Sequence, residues 1–318
     1  MDWYRRERRD LPWRGTNDPY RILVSEIMLQ QTRAQTVIPY YERFLERFPD
    51  LKALAEARES EVLTYWSGLG YYSRARNLQR AARVILATGQ FPSDYDGIRE
   101  LPGVGPYTAA AVASIAFNAP HAVVDGNVLR VIARLSDDGA DIASSKTRAR
   151  FQQMAEQWLD HRHPGQFNQA MMELGATICL PRTPHCPQCP VAEWCEGNKA
   201  GRQHALPVKL SKVKRRHIQI QVAIIEKQGA VLLRQRPADA SLMPGFWELP
   251  SPDNLPSWRA GVTVGSFRHT ITHHHYSVTV LRGTVSRIPT GFRWRRNGID
   301  RIPLTTVTRK AMQLITAG

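Results

Sequence analysis

With 318 residues and no apolar run of membrane-spanning length, the chain has room for two domains with separate cores and excludes a helical membrane protein. A formal charge of +15 and a pI near 10.1 point to a polyanionic partner, because Lys and Arg that neutralise phosphates release bound counterions. All four cysteines fall between Cys179 and Cys195, which argues for a metal rather than for disulfides.

The charged start, Met1-Asp-Trp-Tyr-Arg-Arg-Glu-Arg-Arg, lacks the apolar core of a secretion signal, so the expected compartment is the cytoplasm. From 20 to 200 the pattern reads as helix after helix, with no strand of convincing length. Apolar residues recur at helical spacing over Tyr20 to Gln30, Gln35 to Phe48, Leu51 to Trp66, Ala75 to Ala87, Val128 to Leu135, Thr147 to Leu159 and Phe167 to Ile178. Pro39 either opens the second of these or bends it.

Glu26, in Ser25-Glu-Ile-Met-Leu-Gln-Gln-Thr32, is an acid set between apolar neighbours. Such a pocket raises a carboxyl pKa, so the group can stay protonated and serve as a general acid. Leu101-Pro-Gly-Val-Gly-Pro-Tyr-Thr108 runs into the Ala-rich stretch Ala109 to Phe117 and predicts a tight turn that ends on a helix N-terminus, with Pro106 in its first turn. The amides of Gly103, Val104 and Gly105 are expected to face outward as a site for one phosphate. Asp125, in Val123-Val-Asp-Gly-Asn-Val-Leu-Arg130, stands just ahead of another helix, where amides and dipole favour the ionised form. A protonated and an ionised carboxyl are what glycosidic bond cleavage needs: one protonates the leaving group, the other faces the sugar cation. A surface Glu and a capping Asp are the plain structural alternatives.

Cys179-x6-Cys186-x2-Cys189-x5-Cys195 supplies four thiolates from one Pro-rich loop. Spacing leans to zinc, four-cysteine zinc sites being common, and an iron–sulfur cube suits four sulfurs as well. Either group would order a basic loop, with Arg182, His185 and Lys199 around it, rather than perform chemistry. The segment 197–216 is polar and basic and reads as a linker. From His217 the pattern alternates as a strand, with Ile218, Ile220, Val222 and Ile224, then Lys227-Gln-Gly229, then Val231 and Leu233, which predicts one hairpin. A further β-rich run covers Val278 to Val285. Residues 217–318 hold 13 Lys and Arg against 5 Asp and Glu, so this third too is expected to face nucleic acid.

Taken together, Glu26 with Met-Leu-Gln-Gln-Thr, Leu69-Gly-Tyr-Tyr-Ser-Arg-Ala-Arg76, Leu101-Pro-Gly-Val-Gly105, Val124-Asp-Gly-Asn127, Asn168-Gln-Ala-Met-Met-Glu-Leu-Gly175 and the cysteine spacing resemble the adenine DNA glycosylases of the MutY family. The resemblance covers about the first 200 residues. It implies a mainly α helix-hairpin-helix glycosylase domain of the endonuclease III-like superfamily over 1–196, with a [4Fe-4S] cluster rather than zinc in the loop 179–195. A basic linker, 197–216, and an α+β Nudix-like lesion-recognition domain, 217–318, would follow. The implied substrate is duplex DNA with adenine mispaired with 8-oxoguanine or guanine, met by a monomer. Carried over by position, Glu26 protonates adenine at N7 and later helps activate water, Asp125 stabilises or traps the sugar cation, and Tyr107 and Asn127 support them. The implied DNA contacts are Gln30, Gln31, Thr32, Leu69, Gly70, Tyr71, Gly103, Val104 and Gly105. Gln30, Gln31 and Tyr71 fill or wedge the duplex, and Trp13 and Leu69 line the adenine pocket.

In related endonuclease III-like enzymes a lysine stands where this chain has Tyr107. A phenol cannot form the Schiff base that precedes strand cleavage, so base removal without efficient nicking is expected. The same tyrosine occurs in thymine-mismatch glycosylases, so thymine excision is an alternative, as is a non-catalytic damage-binding role. In the C-terminal third, Gly245-Phe-Trp-Glu-Leu-Pro250 begins like a Nudix region, but after Glu248 the only acids are Asp253 and Asp300, too few for a magnesium-dependent pyrophosphatase. Where the family has Phe-Ser-His to read 8-oxoguanine, this chain has Ile271-Thr-His273, which makes Thr272 and His273 the expected lesion readers, with His274 and His275 as alternatives to His273.

Overall fold

Alternating runs of apolar side chains and Gly, Pro or Asx breaks become helices in the computed structural model, which describes residues 1–210, 216–240, 242–271, 274–299 and 302–316. In chain order these are α1 (Asp2–Glu7), α2 (Pro19–Leu29), α3 (Ala34–Arg47), α4 (Leu51–Glu56), α5 (Glu59–Trp66), α6 (Ser73–Thr88), α7 (Tyr95–Arg99), α8 (Pro106–Phe117), α9 (Gly126–Leu135), α10 (Ser145–Trp158), α11 (Pro164–Thr177) and α12 (Glu196–Lys199). None of the described helices is long and apolar enough to cross a membrane. The chain divides into two compact units, residues 1–56 with 77–211, and residues 57–76 with 212–318.

The first unit is helical and is built around α2 and α8. Asp18 caps α2 by accepting from Tyr20 N at 2.9 Å and Arg21 N at 3.4 Å, with Pro19 in its first turn. From Ile22 to Met28 every residue of α2 is buried, so the helix has no solvent face and Glu26 is enclosed with it. α8 is equally enclosed from Thr108 to Ser114, and its alanines let it lie close against α2, α7 and α11. Pro39 lies inside α3 without ending it. The expected single helix from Leu51 to Trp66 is in fact two. Arg58 takes extended backbone (φ −69°, ψ 137°) as the cap of α5, a break that periodicity misses because Leu54, Ala55, Val62 and Leu63 stay buried on both sides of it. After α12 the chain continues along the helical unit, where Leu206 is buried and Val208 O accepts from Ile142 N at 3.0 Å.

The second unit is α+β. Its strands are β1 (Arg216–Ile224), β2 (Glu226–Lys227), β3 (Ala230–Gln235), β4 (Trp247–Glu248), β5 (Trp258–Ile271), β6 (His274–Val285) and β7 (Phe292–Arg295), followed by α13 (Thr306–Thr316). The hairpin expected at Lys227-Gln-Gly229 forms, but with short arms: it joins β2 to the start of β3, and the 218–224 run is not its other arm. β1 instead runs parallel to β6, and only the two-residue β2 turns back onto β3, through Gln228 and Gly229, both at positive φ (50° and 74°). β6 also pairs antiparallel with β5, giving one sheet in the order β1-β6-β5, while β3 pairs with β2, β4 and β7 in a second sheet. Ile224, Leu233, Val278 and Val280 form its core with Ala311 of α13. The 57–76 segment docks on the C-terminal elements: Ser67 Oγ donates to Leu304 O at 3.2 Å, Arg309 Nη2 donates to Ser67 Oγ at 2.7 Å, and Tyr72 packs on Phe246 with ring centroids 4.2 Å apart.

In the helical unit, Gly103 takes φ +78° at the turn before α8, and a Cβ there would lie 2.4 Å from Asn77 Cβ. Gly103→Ala should therefore cost about 1–3 kcal/mol, from overpacking and left-handed strain together, read as a lowered midpoint in urea unfolding.

Candidate active site

A cavity of about 710 Å³ opens in the helical unit, walled by α2, α8, α11, the start of α9 and the segment before α2. Glu26 and Asp125, roughly a hundred residues apart in sequence, both line it, with Tyr107, Asn127, Trp13, Gln31 and Thr32. Glu26 is 4% exposed. Burial pushes its carboxyl up to about 7; the charge of Asp125 adds to the rise, while the Tyr107 hydrogen bond and Arg14 oppose it. Tyr107 donates to Glu26 Oε2 at 2.8 Å, and burial with two neighbouring carboxyls keeps its phenol protonated, well above the ordinary value. The donor on Glu26 is therefore fixed across the neutral range.

Asp125 caps α9. Its Oδ1 accepts from Asn127 N at 2.8 Å and Val128 N at 2.7 Å, and its Oδ2 from Asn127 Nδ2 at 2.9 Å. The sequence predicts that these amides dominate, yet the net direction is upward, because burial outweighs the hydrogen bonds that hold the charge. The two carboxyls thus differ in partners rather than in direction. Glu26 has one hydroxyl and a buried helix around it; Asp125 has three N–H donors, the set that suits an anion.

Gln31 has left-handed backbone (φ 57°) at the cavity edge, whereas Gln30 turns to Thr108, donating from Nε2 to its Oγ1 at 3.1 Å. Trp13 is buried and meets Tyr41 edge to face at 5.4 Å, so it serves the core and the cavity wall at once. At the α7–α8 turn, the Val104 amide is used within the turn, donating to Leu101 O at 3.0 Å, and so is not an outward phosphate donor; Gly105 caps α8. Leu69, Gly70 and Tyr71 belong to the second unit, on the turn between α5 and α6, where Leu69 is buried and Tyr71 exposed. Thr272 and His273 lie outside the described residues. Beside them, His275 Nδ1 lies 3.0 Å from Thr270 Oγ1 and its ring stacks on His217 at 5.2 Å, while His274 packs on Tyr276.

Sequence reasoning missed Glu173, Arg9 and Arg14 on the cavity wall. Glu173 is fully buried; burial alone would raise it, but Arg9 at 2.8 Å and Arg14 at 2.6 Å hold its carboxyl at about 2. The signal was an acid within the apolar helix Asn168 to Gly175, and its partners are 159 and 164 residues away in sequence. Arg130 and Arg134 were missed as well. Arg130 donates to Asn127 Oδ1 at 3.0 Å, Gly175 O at 2.6 Å and Cys179 O at 2.7 Å. One turn on, the buried Arg134 donates to Cys179 Sγ at 3.2 Å and to the carbonyls of Leu180, Pro181 and Leu206. Helix α9 therefore carries the Asp125–Asn127 pair at one end and grips the cysteine loop at the other.

Cys179, Cys186, Cys189 and Cys195 all line one small apolar void of about 20 Å³, and none is in a disulfide. Among the described residues no three His, Cys, Asp or Glu side chains meet at a single-ion position, and Arg134 has no carboxylate partner. Four sulfurs around one void, with the Arg134 guanidinium donating to one of them, are the donor set of a thiolate-held group.

Because the Glu26 carboxyl is raised, its contribution to stability is complete below the unfolded value of about 4.5 and is lost as pH climbs through about 7. Glu26→Gln should then stabilise the chain by on the order of 3 kcal/mol at about pH 8 and by nothing at about pH 4, measured by urea unfolding at each pH.

Residues 24–157 match the family described as HhH-GPD superfamily base excision DNA repair protein. The adenine DNA glycosylase of Mus musculus is 36% identical over 92% of this chain and 72% of its own length, and that of Homo sapiens 35% identical over 92% and 69%. The solved structure of a thermostable thymine-DNA glycosylase superposes with a TM-score of 0.55 at 32% identity, covering 63% of this chain and 93% of that one. With its enclosed acid, its capped aspartate and relatives aligned across both units, the chain belongs to the adenine DNA glycosylases of the HhH-GPD superfamily.

Proposed function

We propose that the chain removes adenine mispaired with 8-oxoguanine or guanine from duplex DNA, by hydrolysing the N-glycosidic bond of a nucleotide swung out of the stack, and that it does so without efficient strand cleavage. The observation that carries this is one cavity lined by Glu26, neutral up to about pH 7, and by Asp125 under three N–H donors. Glu26 gives its proton to N7 of adenine, and the bond from N9 to C1′ breaks with its electron pair leaving on the base. The carboxylate of Asp125 faces or captures the cationic sugar at C1′. Water then adds there, giving up its proton to Glu26, and the products are free adenine and an abasic site. Tyr107 and Asn127 hold the two carboxyls in place, and no amine stands at Tyr107 to open the sugar and nick the strand.

The remaining assignments follow the same reading. Extruding a base costs a few kcal/mol, which Tyr71, Gln30 and Gln31 offset by filling the vacated stack. Trp13 bounds the adenine pocket, Thr32, Leu69, Gly70, Gly103, Val104 and Gly105 lie along the DNA, and Thr272 and His273 read the lesion. The four cysteines hold a [4Fe-4S] cluster, whose part is to order the basic loop that α9 ties to the cavity.

The test is base release from duplexes carrying A opposite 8-oxoguanine, A opposite G, and T opposite G. The wild-type chain should release adenine from the first two and no thymine from the third. Its single-turnover rate should fall as pH rises through about 7, and Glu26→Gln should lose about a hundredfold or more in rate with DNA affinity kept. Thymine release would favour the mismatch-thymine reading, and an unchanged rate in Glu26→Gln would remove the catalytic one. Elemental analysis of the purified chain should find iron and acid-labile sulfide, with a brown visible absorption; zinc in their place would contradict the cluster.

A further inference from the structure

The turn between α5 and α6 is anchored at both ends. Ser67 is held by Arg309 and by its own bond to Leu304 O, and Tyr72 lies on Phe246. Between these anchors the backbone carries Tyr71 at φ 47°, a left-handed conformation that a bulky residue adopts only when its surroundings impose it. Tyr71 is 42% exposed, while the guanidinium over its ring belongs to Arg74, itself 8% exposed. Arg74 lies over the Tyr71 ring at 5.4 Å and over the Trp66 ring at 5.5 Å. Its Nη2 donates to Leu69 O and to Gly70 O, each at 3.2 Å, and Trp66 Nε1 also donates to Gly70 O at 3.2 Å. One planar group therefore fixes the carbonyls on which the turn depends and the face of the ring that the turn presents.

We infer that Arg74 is a positioning residue which sets the Tyr71 ring for insertion into the duplex. This rests on the proposed role of Tyr71 as the wedge. An exposed tyrosine that must enter a base stack loses rotamer freedom on doing so, and a cation against one face of the ring removes that freedom beforehand. A guanidinium suits the geometry because its plane lies over both rings while Nη2 at its edge donates to both carbonyls; a compact ammonium offers the donors without the flat face. Burial is the cost of this arrangement: it lowers the Arg74 pKa to about 10, a cost that a residue needed only to attract phosphate would avoid by facing solvent.

The experiment uses the full chain and a duplex with A opposite 8-oxoguanine, with 2-aminopurine placed at the step the wedge enters. Arg74→Lys, Arg74→Ala, Tyr71→Ala and the Tyr71→Ala/Arg74→Ala double variant are compared for 2-aminopurine fluorescence, single-turnover rate, and the dependence of DNA affinity on salt. Arg74→Lys, which keeps the charge and is the variant to rely on if Arg74→Ala does not fold, should lose the fluorescence gain and about tenfold or more in rate, with the salt slope unchanged. Arg74→Ala should add nothing in the Tyr71→Ala background, because the two act as one unit. Full activity and fluorescence in Arg74→Lys, a reduced salt slope, or additive losses would overturn the positioning role while leaving the wedge intact. A wild-type response from Tyr71→Ala would overturn the wedge reading and this inference with it.

Discussion

A carboxyl group enclosed in a helix that has no solvent face is the constraint on which the rest of the site depends. Glu26 lies in α2 among Ile22, Leu23, Val24, Ile27 and Met28, all buried, so water cannot stabilise its charge. Its neighbours relieve only part of that cost. Tyr107 supplies one hydrogen bond, Arg14 some opposite charge at a distance, and Asp125 a like charge that makes ionisation harder. An acid so placed keeps its proton near neutrality, and the packing of alanine-rich α8 against α2 brings the tyrosine close enough to aim it. The stability given up at Glu26 belongs to the same physics that would make it a proton donor.

Around that acid, the wall is held by arginines whose partners are spread along the chain. Arg9 and Arg14 meet the buried Glu173 of α11, fastening the segment before α2 to the helix that closes the cavity. Arg130 and Arg134 extend inward from α9, the first to Asn127 and the second to the cysteine loop. The loop is therefore tied by hydrogen bonds to the helix whose N-terminal amides, of Asn127 and Val128, hold Asp125. The cysteine loop and the cavity share a helix, so a group held by that loop would act on the site through α9 rather than by contact with the base.

Much of this was legible in the sequence where the signal is local. Helical periodicity placed α2, α3, α6, α9, α10 and α11 to within a few residues, and the Asp-Gly-Asn pattern announced the cap at Asp125. What the sequence hid was long-range. The break at Arg58 left burial unchanged on both sides, so periodicity ran through it. The parallel pairing of β1 with β6 joins segments 58 residues apart, as in Arg216 with His274, and no turn signal between neighbouring strands reports it. In the same way, Glu173 looks like one more acid on a helix until Arg9 and Arg14 arrive, and the upward shift of Asp125 depends on burial that capping residues do not encode.

Isotope-edited infrared or carbon-13 resonance of the Glu26 carboxyl in the full chain, followed from acid to alkaline pH, reads the central claim without reference to turnover. A midpoint near 7 is the outcome the enclosed helix predicts. A midpoint at the ordinary carboxylate value of about 4.5 would show a solvated, ionised group at neutral pH and would contradict the account.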